Sequence, residues 1–300
     1  MSYQIAVMQV FNGFSLFAIL LLMALGLAIV FGTMGVINMA HGELMTMGAY
    51  VTYITSELFQ NYAPGWMGIY LFIAIPLAFV ITYIFGILIE RGLIRWLYNR
   101  PLDTLLATWG LSLILQQAYR SIFGAREVSV PVTSWLNGAW EPFIGIQLPL
   151  NRIFILCLTI LVSVGVFLIM YKTRWGIRVR AVTQNRKMSS AVGINTTRVD
   201  MLTFGLGCGL AGIAGCVFTM IGSTNPGAGQ LYIVDSFIIV VFGGIQSLLG
   251  TVLSAFTIAQ SQTVLEYYLN GSLAKATVLV FVVVVLYFKP NGLFATRSRG

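Results

Sequence analysis

Long apolar runs separated by short polar segments set the pattern of this chain. The runs fall at about 12–36, 39–56, 66–90, 104–121, 151–171, 201–221, 231–249, 252–269 and 273–288. Each approaches the roughly 20 residues that an α-helix needs to cross a bilayer. The pattern predicts an all-α polytopic membrane protein, a single transmembrane domain over residues 1–300 with about eight or nine transmembrane or partly re-entrant helices. The first two runs meet at a polar interruption, Phe31-Gly-Thr-Met-Gly-Val-Ile-Asn-Met-Ala-His-Gly-Glu43, which holds the only histidine, His41, and the acid Glu43. Gly32, Gly35, Asn38 and Gly42 break the helical pattern at the same place. An ionisable side chain at membrane depth is costly and faces a protein interior or a water-filled cavity. Irregular backbone at that depth is tolerated only where it is buried in protein or lines such a cavity. Polar groups on interrupted helices near the midplane point to a transport site, so this stretch is the first candidate.

A second stretch echoes the first. Val30-Phe31-Gly32 recurs as Val241-Phe242-Gly243-Gly244, ahead of another glycine-punctuated segment that runs through Gly250. Paired interrupted helices are a mark of inverted repeats. Such a repeat would bring Asp235, Gln246 and Ser247 to the same cavity from the other half of the chain. A third glycine-rich run, with Gly205, Gly207, Gly209, Gly212 and Gly215, has the spacing that lets transmembrane helices approach closely.

Composition agrees with the pattern. The 300 residues are 58% hydrophobic and only 9% charged, with a mean hydropathy of +0.89, against about a quarter charged residues in soluble domains. The net charge of +8 does not point to nucleic acid, because the cations sit in short loops, where they act as topology signals. Loop 91–103 carries Arg91, Arg95 and Arg100, loop 172–200 carries seven Lys or Arg, and the tail carries Lys289, Arg297 and Arg299. Segments 57–65 and 122–150 are poor in positive charge, and the latter holds three prolines and two tryptophans, as an ordered or interfacial outer segment would. These counts place both basic loops and the C-terminus in the cytoplasm and the N-terminus outside. The first cation is Arg91, so the N-terminal run lacks the positive n-region of a signal peptide and is expected to remain as a span. Cys157, Cys208 and Cys216 fall in apolar runs and are expected to be buried small hydrophobes.

Several chemistries are not encoded. There is no Gly-x-x-x-x-Gly-Lys-Ser/Thr stretch for nucleotide phosphates. One histidine and no metal-ligand spacing argue against a metal site. His41 has no evident orienting partner or nucleophile beside it, which disfavours an intramembrane hydrolase. Neither metal nor cofactor is expected. The basic segment 178–193 can form an amphipathic helix ended by Gly193, with Ala181, Val182, Met188, Ala191 and Val192 on its apolar side. Two readings fit it: an interfacial helix lying on anionic lipid, or a docking surface for a cytoplasmic partner.

Gly35-Val-Ile-Asn-Met-Ala-His-Gly-Glu43, Gly193-Ile-Asn-Thr-Thr-Arg-Val199, the glycines of 205–215 and Lys289-Pro-Asn-Gly-Leu-Phe294 resemble the membrane permeases of branched-chain amino-acid-type ABC importers. The resemblance runs in order over nearly the whole chain. Within that family, Phe31-Gly-Thr-Met-Gly35, Ala181-Val-Thr-Gln-Asn185 and Tyr232-Ile-Val-Asp-Ser-Phe237 look more like the urea permease branch, whereas Gly193-Ile-Asn-Thr-Thr-Arg198 suits the amino-acid branch equally well. The resemblance implies a bacterial inner-membrane location and a set of partners: a second homologous permease subunit, two cytoplasmic ATPase subunits and an external substrate-binding protein, within membrane lipid. It also implies that segment 178–193 is the coupling segment that fits the ATPase, with Arg180, Gln184, Asn185, Met188 and Gly193 as its contact residues.

Urea has one carbonyl acceptor and four N–H donors, so its passage calls for hydrogen-bonding groups without a held charge. Asn38, His41 and Glu43 can supply them and are expected to line or gate the pathway, with Thr33, Asp235 and Gln246 as lesser candidates. The alternative role for His41 and Glu43 is structural, capping the broken helix, since a carboxylate is favoured at a helix N-terminus. Branched-chain or other amino acids are the alternative substrate; a zwitterion would call for fixed charges or helix ends, with which the sequence is sparing. A stand-alone facilitative channel is the remaining alternative, and the basic 172–200 loop argues against it.

Overall fold

The computed structural model describes residues 3–98, 100–143, 146–290 and 292–294; the tail cations Arg297 and Arg299 lie outside them. With no water at membrane depth, backbone groups must bond within their own segment, and the apolar runs fold accordingly into helices. With the two short helices of the basic segment, the sixth and seventh, the helices are α1 (Tyr3–Met34), α2 (His41–Tyr62), α3 (Tyr70–Gly92), α4 (Pro101–Phe123), α5 (Leu150–Lys172), α6 (Arg174–Gln184), α7 (Arg186–Ala191), α8 (Thr196–Thr219), α9 (Gln230–Gly243), α10 (Leu248–Tyr268) and α11 (Gly271–Phe288). Six of them, α1, α3, α5, α8, α10 and α11, are long and apolar enough to cross a membrane. α2 and α4 carry more polar residues, and α9 is short at 14 residues. The chain is therefore an all-α polytopic membrane protein.

Glycine punctuates the breaks. α1 stops where Gly35 adopts φ +65° and its N–H returns to the Phe31 carbonyl at 2.9 Å, a left-handed ending that a side chain would oppose. The runs expected at 231–249 and 252–269 are the separate helices α9 and α10, but the boundary falls earlier, at Gly244, φ +99°, with residues 244–247 joining them. Gly32 lies against the Ile245 carbonyl, so the two echoing stretches pack against each other.

α8 runs through the middle of the bundle, buried against α1, α2 and α3. Gly207 meets Gly26 of α1, while Gly212 meets Gly48 of α2 and Thr82 of α3. The glycine run is thus a helix-packing surface. Cys208 and Cys216 are buried there, but Cys157 is exposed on the outward face of α5, contrary to expectation. The segment before α5 is ordered, as expected: β1 (Ala139–Phe143) pairs antiparallel with β2 (Ile146–Pro149). Trp135 stacks on Phe72 at 5.6 Å and donates to the Gly68 carbonyl at 2.7 Å.

The basic segment differs from the single amphipathic helix expected. Asn185 ends α6 and caps α7, its Oδ1 accepting from the Met188 N–H at 2.9 Å. Val179 and Val182 face inward, whereas Met188 and Val192 are exposed. The five apolar residues therefore do not share one buried face, because the break at Asn185 re-aims the second half.

Candidate functional site

The break at 35–40 allows α2 to begin against the middle of α1 rather than beyond its end. His41 Nε2 lies 3.2 Å from the Met23 carbonyl, three turns back along α1. Asn38 Oδ1 accepts from the Ala40 N–H at 3.1 Å. Glu43, in the first turn of α2, accepts at Oε1 from the Ser112 hydroxyl at 3.1 Å and from Gln116 Nε2 at 2.8 Å. The Tyr119 hydroxyl reaches the Glu43 carbonyl at 3.0 Å, and Thr108 Oγ1 accepts from the Met39 N–H at 3.1 Å. One face of α4 thus runs along the whole break. On its far side Gln116 Nε2 lies 3.5 Å from Oε1 of Gln230, the first residue of α9.

The starts of α2 and α9 cross at two glycines. A Cβ on Gly42 would strike the Gly229 carbonyl, and one on Gly229 would strike the Gly42 carbonyl. The Gly229 N–H donates to Thr46 Oγ1 at 2.9 Å, closing the crossing. Two helix N-termini, each a partial positive charge, therefore meet inside the bundle next to a carboxylate.

Asn38 and His41 are 0% exposed and Glu43 is 1% exposed. Hydrogen bonds within the break and to α1 and α4 account for only part of their chemistry: among the described residues, Asn38 Nδ2, His41 Nδ1 and Glu43 Oε2 have no partner. A buried polar atom left unmatched costs about 1–3 kcal/mol. The bonded atoms fit a structural role, and these three remain open to a further partner.

The other predicted pathway residues lie elsewhere, so the six do not converge. Thr33 and Gln246 line a cavity of about 290 Å³ at the α6 end of the bundle, and there they meet Arg180, Thr183 and Gln184 of α6. Arg180 donates to the Met170 carbonyl and sits 5.3 Å over the Tyr171 ring. Two groups of residues that the sequence kept apart, pathway and coupling, share one cavity. Ser247 instead caps α10, accepting from the Gly250 N–H at 3.0 Å. Asp235 is ion-paired with Lys275 at 3.2 Å, in a separate cleft of about 320 Å³ bordered by α9, α10 and α11.

Sequence reasoning missed Ser112, Gln116 and Gln230. The signal for α4 was available: Thr104, Thr108, Ser112 and Gln116 recur at four-residue steps and lie on one face of a helix. It also missed a buried cluster beneath α7. Arg186 pairs with Asp200 and lies 4.9 Å over the Tyr98 ring, while the Tyr98 hydroxyl donates to Glu90 Oε1 at 3.0 Å. Burial, then the neighbouring carboxylates, holds the Tyr98 phenol well above its ordinary range, so it stays a donor. This cluster ties α7 to α3 and α8.

A family model described as "Branched-chain amino acid transport system / permease component" matches residues 9–288. The high-affinity branched-chain amino acid transport system permease protein LivH of Escherichia coli K12 is 30% identical over 95% of this chain and 94% of its own. Its counterpart BraD of Pseudomonas aeruginosa is 29% identical over the same shares. A probable LivH of Methanocaldococcus jannaschii is 27% identical over 92% of this chain and 88% of its own. No solved structure matches the chain.

Proposed function

We infer the function from one premise: the chain belongs to the branched-chain amino acid transport system permease family, matched over residues 9–288. It is a multi-pass permease subunit rather than an enzyme. Its substrate is a branched-chain or similar amino acid, imported at the expense of ATP that separate cytoplasmic subunits hydrolyse. The observation that carries the substrate is the end-to-end likeness to relatives named as branched-chain amino acid permeases. The urea reading rested on three short stretches and gives way to this alternative. The objection to a zwitterion also weakens, because the N-termini of α2 and α9 meet beside Glu43, and helix ends of this kind receive anionic substrate groups in transporters. Uptake of labelled leucine into vesicles holding the assembled importer, challenged with excess unlabelled urea or isoleucine, is the test. Isoleucine should compete and urea should not; the reverse would return the assignment to urea.

In this reading the α6–α7 end and the C-terminus face the cytoplasm and the β-hairpin faces outside, as the basic loops require. The partners are a second homologous permease subunit, two ATPase subunits and an external substrate-binding protein. Asn38, His41 and Glu43 stand at the pathway, reached from the face where α4 and α9 approach through Gln116 and Gln230. Changing Glu43 to Gln keeps the shape and removes the charge. Uptake is expected to fall about tenfold, the 1.4 kcal/mol equivalent of one lost charge-assisted bond, with assembly intact on size-exclusion chromatography. Unchanged uptake would remove Glu43 from the pathway.

α6 and α7 receive the ATPase stroke, with Met188 and Gly193 at the contact and Arg180, Gln184 and Asn185 behind it. Gly193 has φ +86° and open space around its Cβ position, so Gly193→Val disturbs only the local backbone, by about 1–2 kcal/mol. The variant should insert and hydrolyse ATP yet import several-fold less per ATP. Normal coupling would show that the docking surface lies elsewhere.

A further inference from the structure

At the end of the bundle that carries the β-hairpin, α1, α5, α8, α9, α10 and α11 contribute to a second cavity, of about 500 Å³. Its wall is of two kinds. Leu16, Ile19, Phe218 and Ile221 are apolar, and Phe218 meets the Tyr232 ring edge-on at 5.4 Å. Arg152, Glu266 and Lys275 are charged. Each lies within two turns of a helix end: Arg152 near the start of α5, Glu266 near the end of α10 and Lys275 near the start of α11.

These charges are not equivalent. Lys275 is already paired with Asp235. Arg152 donates to Asn12 and Glu266 accepts from Gln262 at 3.0 Å, but among the described residues neither has an oppositely charged partner. One cation and one anion thus share a cavity in a low-charge protein. A single molecule bearing both charges answers both. Urea answers neither as a charge, and a simple anion would gain Arg152 while meeting Glu266. The volume falls within the roughly 300–1,000 Å³ of small-ligand sites, and the apolar wall gives an aliphatic side chain a place.

The cavity also leads somewhere. Gln262 and Lys275 border both it and the cleft beside α9, and that cleft ends at Gln230. Gln230 lies against Gln116, which bonds Glu43. Within that largely apolar cleft, Gln262, Lys275, Asp235 and Gln230 are the polar side chains between the hairpin end and the buried candidate site.

We propose that this open cavity, with Glu266 exposed at its edge, is a binding site for a zwitterionic α-amino acid at the hairpin end of the permease. Arg152 takes the carboxylate, Glu266 the ammonium, and Leu16, Ile19, Phe218 and Ile221 the aliphatic side chain. The site receives substrate from the external binding protein and holds it before passage toward Glu43. The proposal rests on the amino-acid reading above.

The test is equilibrium binding of labelled L-leucine to the assembled importer, purified without its external binding protein. Leucinamide lacks the carboxylate and 4-methylpentanoate lacks the ammonium; on the wild type each should compete at least tenfold more weakly than leucine. Arg152→Gln and Glu266→Gln should each weaken leucine binding at least tenfold. Arg152→Gln should erase the preference over leucinamide, and Glu266→Gln the preference over 4-methylpentanoate. If either variant fails to assemble, Ile221→Trp, which fills the cavity without touching a charge, should abolish binding in its place. Leucine import by the full system with wild-type binding in all these variants would overturn the site and leave the function standing. So would 4-methylpentanoate competing as well as leucine, which would mark a plain anion site. A wild-type importer that carries urea and not leucine would overturn the substrate and the site together, and the uptake assay alone distinguishes that case.

Discussion

Replacing Gly42 with valine should leave almost no assembled importer in the membrane. Overpacking a core with a few methyl groups costs about 1–3 kcal/mol when side chains can move aside. Here the obstacle is the Gly229 backbone carbonyl, with Ile233 beside it, and a carbonyl at a helix start cannot rotate away. The helices would have to part, which would break the Gly229–Thr46 bond and draw Gln230 away from Gln116. Gly229→Val should act alike from the other side. Membrane-fraction immunoblots and co-purification with the ATPase subunits would measure the loss, and Gly65→Val serves as a control because the space around Gly65 is open. Assembly of Gly42→Val at wild-type yield would mean that the crossing of α2 and α9 is looser than its geometry.

The second large effect is expected at Arg186. Its partner Asp200 has only 3% of its side chain exposed, and Glu90 close by is fully buried. Arg186→Met strands Asp200 without a counter-charge. Because the arginine side chain is itself 46% exposed, solvent moderates the loss, which should resemble that of one charged hydrogen bond, about 1.5–3 kcal/mol. The damage falls on the joint between α7 and the membrane helices. ATP hydrolysis should therefore continue while uptake drops tenfold or more. Asp200→Asn should restore much of the uptake in the double variant, since it removes the stranded charge. A double variant no better than Arg186→Met would assign the defect to lost docking rather than to this joint.

The helices were legible because a bilayer allows few alternatives: a run of apolar residues long enough to cross must satisfy its own backbone. The glycines of α8 were legible for a similar reason, since small residues at such spacings in a membrane helix have close approach as their main use. Hydropathy measures length, however, and says little about which way a residue faces. It could not say that Cys157 looks outward, or that Asn185 turns the second half of the basic segment and leaves Met188 exposed. The candidate site was half legible. The interruption at Gly35–Glu43 marked it, but the partners on α4 and α9 come from distant sequence and only the fold brings them together. Asp235 was grouped with His41 by the repeat argument; its neighbour Lys275 lies 40 residues away and diverts it to another cleft.

The glycine crossing of α2 and α9 also constrains how the molecule can move. Two backbones in direct touch cannot be pressed closer, and the bond to Thr46 resists prising them apart, so this point behaves as a fulcrum. The helical segments on either side are then levers. Any tilt of α2 against α9 would turn about that fixed point, so the far ends of the two helices would travel most.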